Sequence, residues 1–131
     1  IPKSDNIAPP KPSKIKLWAH GVQIAEGWFT GSRSQRNNNP GNLKRSSLTT
    51  SFGATGVDKD NFCIYPSYEV GFKALCSFLE LAAKDELLSY HKARTLRQFS
   101  RVYAQPINDE YALAVAKYIG VPVDINISLL L

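Results

Sequence analysis

Methionine is absent from this chain, and only two cysteines and two histidines occur among its 131 residues. Cys63 and Cys76 have neither a histidine nor a second cysteine at metal-ligand spacing, which argues against a structural zinc site, and no metal is expected. Both lie in apolar stretches, so two reduced core thiols are expected rather than a disulfide. His20 and His91 have no Ser or Cys beside them in a nucleophile motif, and read as surface or core-edge residues. Ser32, Ser34, Ser46 and Ser47 lack the Gly-x-Ser-x-Gly elbow that would expose a serine nucleophile, which argues against a serine hydrolase. No apolar run approaches the roughly 18 residues of a membrane span, and no charged start leads into an apolar stretch and cleavage site. No internal repeat is present. The start at Ile1 and the absence of methionine lead us to expect a monomeric domain of a longer protein.

What the chain does contain is ordinary for a folded domain. Hydrophobic residues make up 44% and charged residues 21%, enough apolar material for one core at this length. Sixteen Lys and Arg oppose eleven Asp and Glu, a net charge of +5 with a pI near 9.3, so the partner should be anionic. The basic residues are scattered from Lys14 and Lys16 through Arg33, Arg36, Lys44 and Arg45 to Lys92, Arg94, Arg97 and Arg101. Charge alone does not choose among nucleic acid, anionic lipid and the acidic polymers of a bacterial wall, although the dispersion argues against a specific nucleic-acid site.

Residues 1–13 hold Pro2, Pro9, Pro10 and Pro12 and read as a semi-extended linker or tail, with the folded domain over residues 14–131. From Lys14, Ile15, Trp18, Ala19, Val22 and Ala25 recur at helical steps behind Ser13 as a cap, and Gly27 supplies a stop. Trp28 to Arg45 is rich in Gly, Ser, Asn and Arg and predicts a long structured loop or flap. Ser46 to Tyr65 is broken by Gly53, Gly56 and Asp58-Lys59-Asp60-Asn61 and predicts short strands in a hairpin. Ser67 caps a second helix with Phe72, Leu75, Cys76, Leu79 and Ala83 on one face. Thr95 caps a third with Leu96, Phe99, Val102 and Tyr103, and Asn108 a fourth that runs to Gly120. Val121 to Leu131 fits a strand or a short helix. The expected class is α+β, mainly helical with one small antiparallel hairpin.

Glu26 follows Val22 by four residues and Trp18 by eight, which puts a carboxylate at the end of a buried helical stripe. Trp28 and Phe29 beside it would exclude water and raise its pKa toward that of a general acid. For an isolated Glu the better reading is a polar residue in a fraying turn, where the helix C-terminus disfavours negative charge. The next segment, Arg36-Asn37-Asn38-Asn39-Pro40-Gly41-Asn42-Leu43, tilts the balance by concentrating amides within reach of the helix end. Asn side chains both donate and accept, which suits the hydroxyl and N-acetyl groups of amino sugars, although they also favour left-handed turns.

The series Ile24-Ala25-Glu26-Gly27-Trp28, then Arg36 to Leu43, then Phe62-Cys63-Ile64-Tyr65-Pro66-Ser67 with Gly71-Phe72-Lys73-Ala74-Leu75, resembles the lysozyme-superfamily peptidoglycan-cleaving domains of phage structural proteins and of bacterial secretion or wall-remodelling proteins. Val102-Tyr103-Ala104-Gln105-Pro106-Ile107-Asn108, Tyr111 and Gly120-Val121 resemble later landmarks of the same group, with Gln105 standing where that pattern carries Pro. The resemblance runs from about Trp18 to about Asp124. It implies a lysozyme-like fold whose cleft lies between a helical body and a hairpin lobe, and a cell-wall location reached from the periplasm, the outside, a virion or a secretion system.

Glu26 would then protonate the glycosidic oxygen of the β-1,4 bond of peptidoglycan glycan strands, with no cofactor. Arg36, Asn37, Asn38, Asn39, Asn42 and Tyr103 are the expected substrate-binding residues. Tyr65 corresponds to a cleft-facing tyrosine of the glucosaminidase branch, which would order the substrate's N-acetyl group. Glycosidases generally use two carboxyls, and Asp58 and Asp60 in the predicted hairpin are the candidates for the second, though two acids flanking Lys59 also make an ordinary solvated turn. Without a convincing second acid, a lytic transglycosylase or muramidase with one catalytic Glu leads. An N-acetylglucosaminidase on the same fold and a non-catalytic wall- or polyanion-binding module are the alternatives.

Overall fold

The structure is a computed structural model that describes residues 12–104 and 108–131. The expected linker over residues 1–13 therefore lies almost wholly outside the described residues, as does the Gln105-Pro106-Ile107 departure. Six α-helices and one hairpin form the described fold: α1 (Ile15–Ala25), α2 (Arg33–Arg36), α3 (Ser47–Ser51), β1 (Gly56–Val57), β2 (Cys63–Ile64), α4 (Tyr68–Ala83), α5 (Leu96–Tyr103) and α6 (Glu110–Ile119). Single 3₁₀ turns occupy Leu88–Tyr90 and Ile127–Leu130. The mainly helical α+β class with a small antiparallel hairpin is thus observed.

The long helices start where side chains can satisfy their first amides. Ser67 Oγ accepts from Val70 N at the head of α4, and Thr95 and Gln98 form a reciprocal capping box at the head of α5. Ser13 Oγ accepts from Ile15 N, although the capping position of α1 is Lys14. At α6 the capping position is Asp109, one residue beyond the expected Asn108, whose Oδ1 nonetheless accepts from Glu110 N. Helix α6 ends at Gly120 in the left-handed conformation, φ 83°.

Helices α1, α4, α5 and α6 bury one apolar cluster in which Trp18, Leu75, Leu79, Leu96, Phe99 and Val115 are fully enclosed. Phe99 is its aromatic hub, edge-on to Trp18 at 5.0 Å and stacked on Tyr90 at 4.6 Å and Tyr103 at 5.3 Å. A second, smaller cluster of Leu43, Cys63, Tyr65 and Ala74 lies under the hairpin, and Phe78 and Tyr103 border both.

Two expectations are corrected, and a third point left open in the sequence is resolved. Ser46 to Ser51 is not a strand but the cap and body of α3, because Ser46 and Thr49 make a capping box that the Thr-rich composition conceals. Val102 faces outward at 44% exposure instead of sharing the buried face of α5. The Val121 to Leu131 segment, open between a strand and a short helix, takes the short helix, a 3₁₀ turn at Ile127–Leu130. It makes one antiparallel bridge, Thr95 to Asn126, and then its 3₁₀ turn, which plugs Ile127 and Leu130 into the core. Both cysteines carry free thiols, Cys63 buried and Cys76 half-buried. No helix among the described residues is long and apolar enough to cross a membrane.

Candidate active site

A cleft of about 780 Å³ opens between the helical body and the lobe formed by the Asn-rich loop, α3 and the hairpin. Glu26 sits on its wall as the residue that closes α1, its own N–H bonding back to Val22 O. Gly27 follows with φ 81°, a left-handed turn that ends the helix there.

The carboxyl is held by two donors from distant segments. Tyr111, the second residue of α6, donates its hydroxyl to Glu26 Oε2 at 2.7 Å. Asn42 Nδ2 donates to Glu26 Oε1 at 3.1 Å, with a longer contact to the Glu26 carbonyl at 3.4 Å. Burial dominates and raises the Glu26 pKa, since desolvation penalises the charged form; the hydrogen bonds from Tyr111 and Asn42 pull it partly back. Tyr111 is itself pushed well up by burial and by the Glu26 charge, so it remains a protonated donor.

The shielding of Glu26 does not come from Trp28 and Phe29. Phe29 is 66% exposed, and Trp28 packs edge-on against Tyr68 at 5.1 Å, away from the cleft lining. The left-handed turn at Gly27 carries the chain off after the acid, so sequence neighbours are not spatial ones. Tyr103, Tyr111, Ala25 and Gly41 line the cleft around the carboxyl instead.

The Asn-rich loop divides into one residue that reaches the acid and several that build the loop. Asn39 is fully buried; its Nδ2 donates to Leu43 O and Cys63 O while its Oδ1 accepts from Leu43 N, binding loop to hairpin. Asn37 Nδ2 donates to Asp58 Oδ2 at 2.9 Å, and Asn38 Nδ2 donates to Tyr65 O. Arg36 is exposed and donates to Gly31 O. None of these four lines the cleft. Asn42 does, in the left-handed region at φ 47°, and its buried Oδ1 has no hydrogen-bond partner among the described residues.

Two glycines let this loop lie on the body. A Cβ at Gly71 on α4 would fall 1.7 Å from Asn38 O, and one at Gly41 would fall 2.6 Å from Leu75 Cδ1 and 2.8 Å from the Tyr103 hydroxyl. Tyr103 lines the cleft, but its hydroxyl is committed to Gly41 O at 2.5 Å, so it fixes the loop beside the acid. Tyr65 is almost wholly buried, donates its hydroxyl to Thr49 O at 2.7 Å and does not line the cleft.

The candidates for a second carboxylate lie elsewhere. Asp58 accepts from the backbone of Phe62 and Asp60 and from Asn37, with the Arg33 charge 3.7 Å away, and these contacts, led by Phe62 N–H, lower its pKa. Asp60 is exposed and paired with Arg33 at 2.7 Å. Both belong to the hairpin turn, and Glu26 is the only carboxylate lining the cleft among the described residues. No group of three or more His, Cys, Asp or Glu among them is placed to hold a metal ion.

Three cleft-lining positions escape local sequence reasoning. Tyr111 stands 85 residues from Glu26 and carries no local mark of its partner; only its place in the family-like series pointed to it. Lys44 and Arg45 follow the Asn-rich loop directly, and both line the cleft. No family model, curated protein or solved structure matches the chain.

Proposed function

We propose that the protein is a lysozyme-like enzyme of the bacterial cell wall that cleaves the β-1,4 glycosidic bond of peptidoglycan glycan strands, with Glu26 as its one catalytic carboxyl. The observation that carries this reading is a single cleft-lining carboxyl, raised by burial and gripped by Tyr111 and Asn42.

The opposed influences on Glu26 suit a group that must work in both protonation states. Burial favours the neutral acid needed to protonate the leaving glycosidic oxygen. Once that proton is gone, the two donors stabilise the carboxylate, which is then poised to take a proton back. Glycosidases with two carboxyls place them about 5 to 10 Å apart across the scissile bond. Asp58 and Asp60 point into the hairpin turn instead, which favours substrate assistance: the N-acetyl group of the sugar stabilises the cationic centre. Glu26 as base then activates either the sugar's own 6-hydroxyl, leaving an anhydro end, or a water. The lytic transglycosylase route uses the first and needs nothing beyond Glu26 from the protein.

The glucosaminidase alternative loses support from Tyr65, whose hydroxyl is taken by Thr49. A non-catalytic wall-binding module would have no use for a carboxyl held against its desolvation cost. Mass spectrometry of digested sacculi decides the reaction, because anhydro-muramoyl, reducing muramoyl and reducing glucosaminyl ends are distinct products. Glu26→Gln should reduce their formation by about 100-fold or more while the protein stays folded. Wild-type rates in that variant would reject Glu26 as the acid.

A further inference from the structure

Among the described residues, the ionisable groups lining the cleft apart from the tyrosines are Glu26 and two cations, Lys44 and Arg45. Their backbone is fixed: Lys44 pairs with Phe62 in an antiparallel bridge, its carbonyl accepts from Thr49 Oγ1 at 2.7 Å, and Arg45 N donates to Asn61 O at 2.9 Å. The two residues therefore continue the hairpin as a short third edge. Their side chains are exposed, and among the described residues neither forms an ion pair. Lys44 Nζ instead lies 5.3 Å over the Phe62 ring. The neighbouring acids, Asp58 and Asp60, are already taken by Arg33. The lining contributed by the α4 to α5 connection has the opposite character, with Leu87 and the 92% exposed Leu88.

A neutral polysaccharide gives a cleft no reason to present two unpaired cations from a rigid edge. A glycan with a carboxylate on every second sugar does. We propose that Lys44 and Arg45 form a carboxylate-binding subsite that recognises the acidic substituent on the 3-oxygen of muramic acid, and so selects acidic glycan strands over neutral ones. The inference rests on the peptidoglycan reading above. Two sources share the chemistry: the lactyl carboxylate, free only on muramic acids that carry no peptide, and the carboxylates of the stem peptide where the lactyl group is amidated by one. Either would anchor the strand along the cleft so that a defined bond meets Glu26.

Binding to the Glu26→Gln protein tests this without requiring turnover. The probes are a neutral N-acetylglucosamine hexamer, glycan strands stripped of peptide by an amidase, and the same strands with their peptides. The acidic strands should bind about tenfold more tightly than the hexamer at low salt, the scale of one or two exposed charge-assisted contacts. That advantage should shrink as salt screens it. Adding Lys44→Gln and Arg45→Gln should collapse the ratio of the affinities toward one, whereas Lys44→Arg with Arg45→Lys should preserve it. Preference for stripped strands assigns the lactyl carboxylate, and preference for peptide-bearing strands alone assigns the stem peptide. Equal binding of neutral and acidic strands, a preference indifferent to salt, or a ratio unchanged by the double Gln substitution would each overturn the subsite. If the wild-type protein cleaves no sacculi while the ratio still behaves as expected, the catalytic reading fails and the subsite stands.

Discussion

The helical body and the hairpin lobe are held together by different physics. The body encloses Trp18, Leu75, Leu79, Leu96, Phe99 and Val115 in one apolar cluster, the non-directional kind of stabilisation that tolerates small shifts. The apolar cluster under the lobe is small, with Leu43, Cys63 and Tyr65 set against Ala74 of α4, and the lobe's shape comes from directed hydrogen bonds of Asn37, Asn38 and Asn39 to loop and hairpin atoms. A cleft wall that must be positioned accurately but cannot afford a large core is built from amides, each of which specifies a distance and an angle.

This contrast can be broken from either side. Phe99→Ala should cost about 3–5 kcal/mol, and denaturant unfolding should show the loss throughout the chain. Asn39→Ala removes three hydrogen bonds and leaves buried backbone groups of Leu43 and Cys63 unpaired, at roughly 2–4 kcal/mol. Its effect should be local, with faster amide exchange over residues 37–66 while α1, α4 and α6 stay protected. Uniform exchange in both variants would mean the lobe and the body unfold as one unit.

Tyr111→Phe sharpens the comparison at the site where the two regions meet. The Tyr111 hydrogen bond lowers the pKa of Glu26, so removing it raises that pKa further. The acid must be protonated to act; activity therefore persists below its pKa and falls above it. The alkaline limb of kcat/KM should move to higher pH in the variant, and a limb that stays put or moves lower would show that Tyr111 does not set the protonation of Glu26. The smallest effect belongs to Asp60→Asn. Its pairing with Arg33 is exposed and worth under about 1 kcal/mol, and wall-clearing activity should be retained. Loss of activity would return Asp60 to the role of second carboxylate.

What the sequence made legible follows the same division. Helices α1, α4, α5 and α6 can be read because an apolar stripe and its caps are local signals, with Ser67, Thr95 and Gly120 marking their ends. Helix α3 has no stripe, and its β-branched residues imitate a strand. At the site, the position of Glu26 at the end of α1 is legible from spacing alone. Its surroundings are not, because Trp28 and Phe29 adjoin it only along the chain and Tyr111 only in space. The Asn run reads as a set of sugar ligands because each amide has the right chemistry. Only folding reveals that Asn37, Asn38 and Asn39 spend theirs on the backbone and side chains of the lobe.

The stop signal after α1 does more than end a helix. Each residue of helix turns the side chains by about 100° and advances them by about 1.5 Å, so the bearing of Glu26 is set by its place eight residues after Trp18, while the left-handed turn at Gly27, φ 81°, decides where the chain goes next. A residue there that let α1 run on would leave Glu26 on its bearing but send the chain that follows, through Trp28 toward the Asn-rich loop, off along the helix axis.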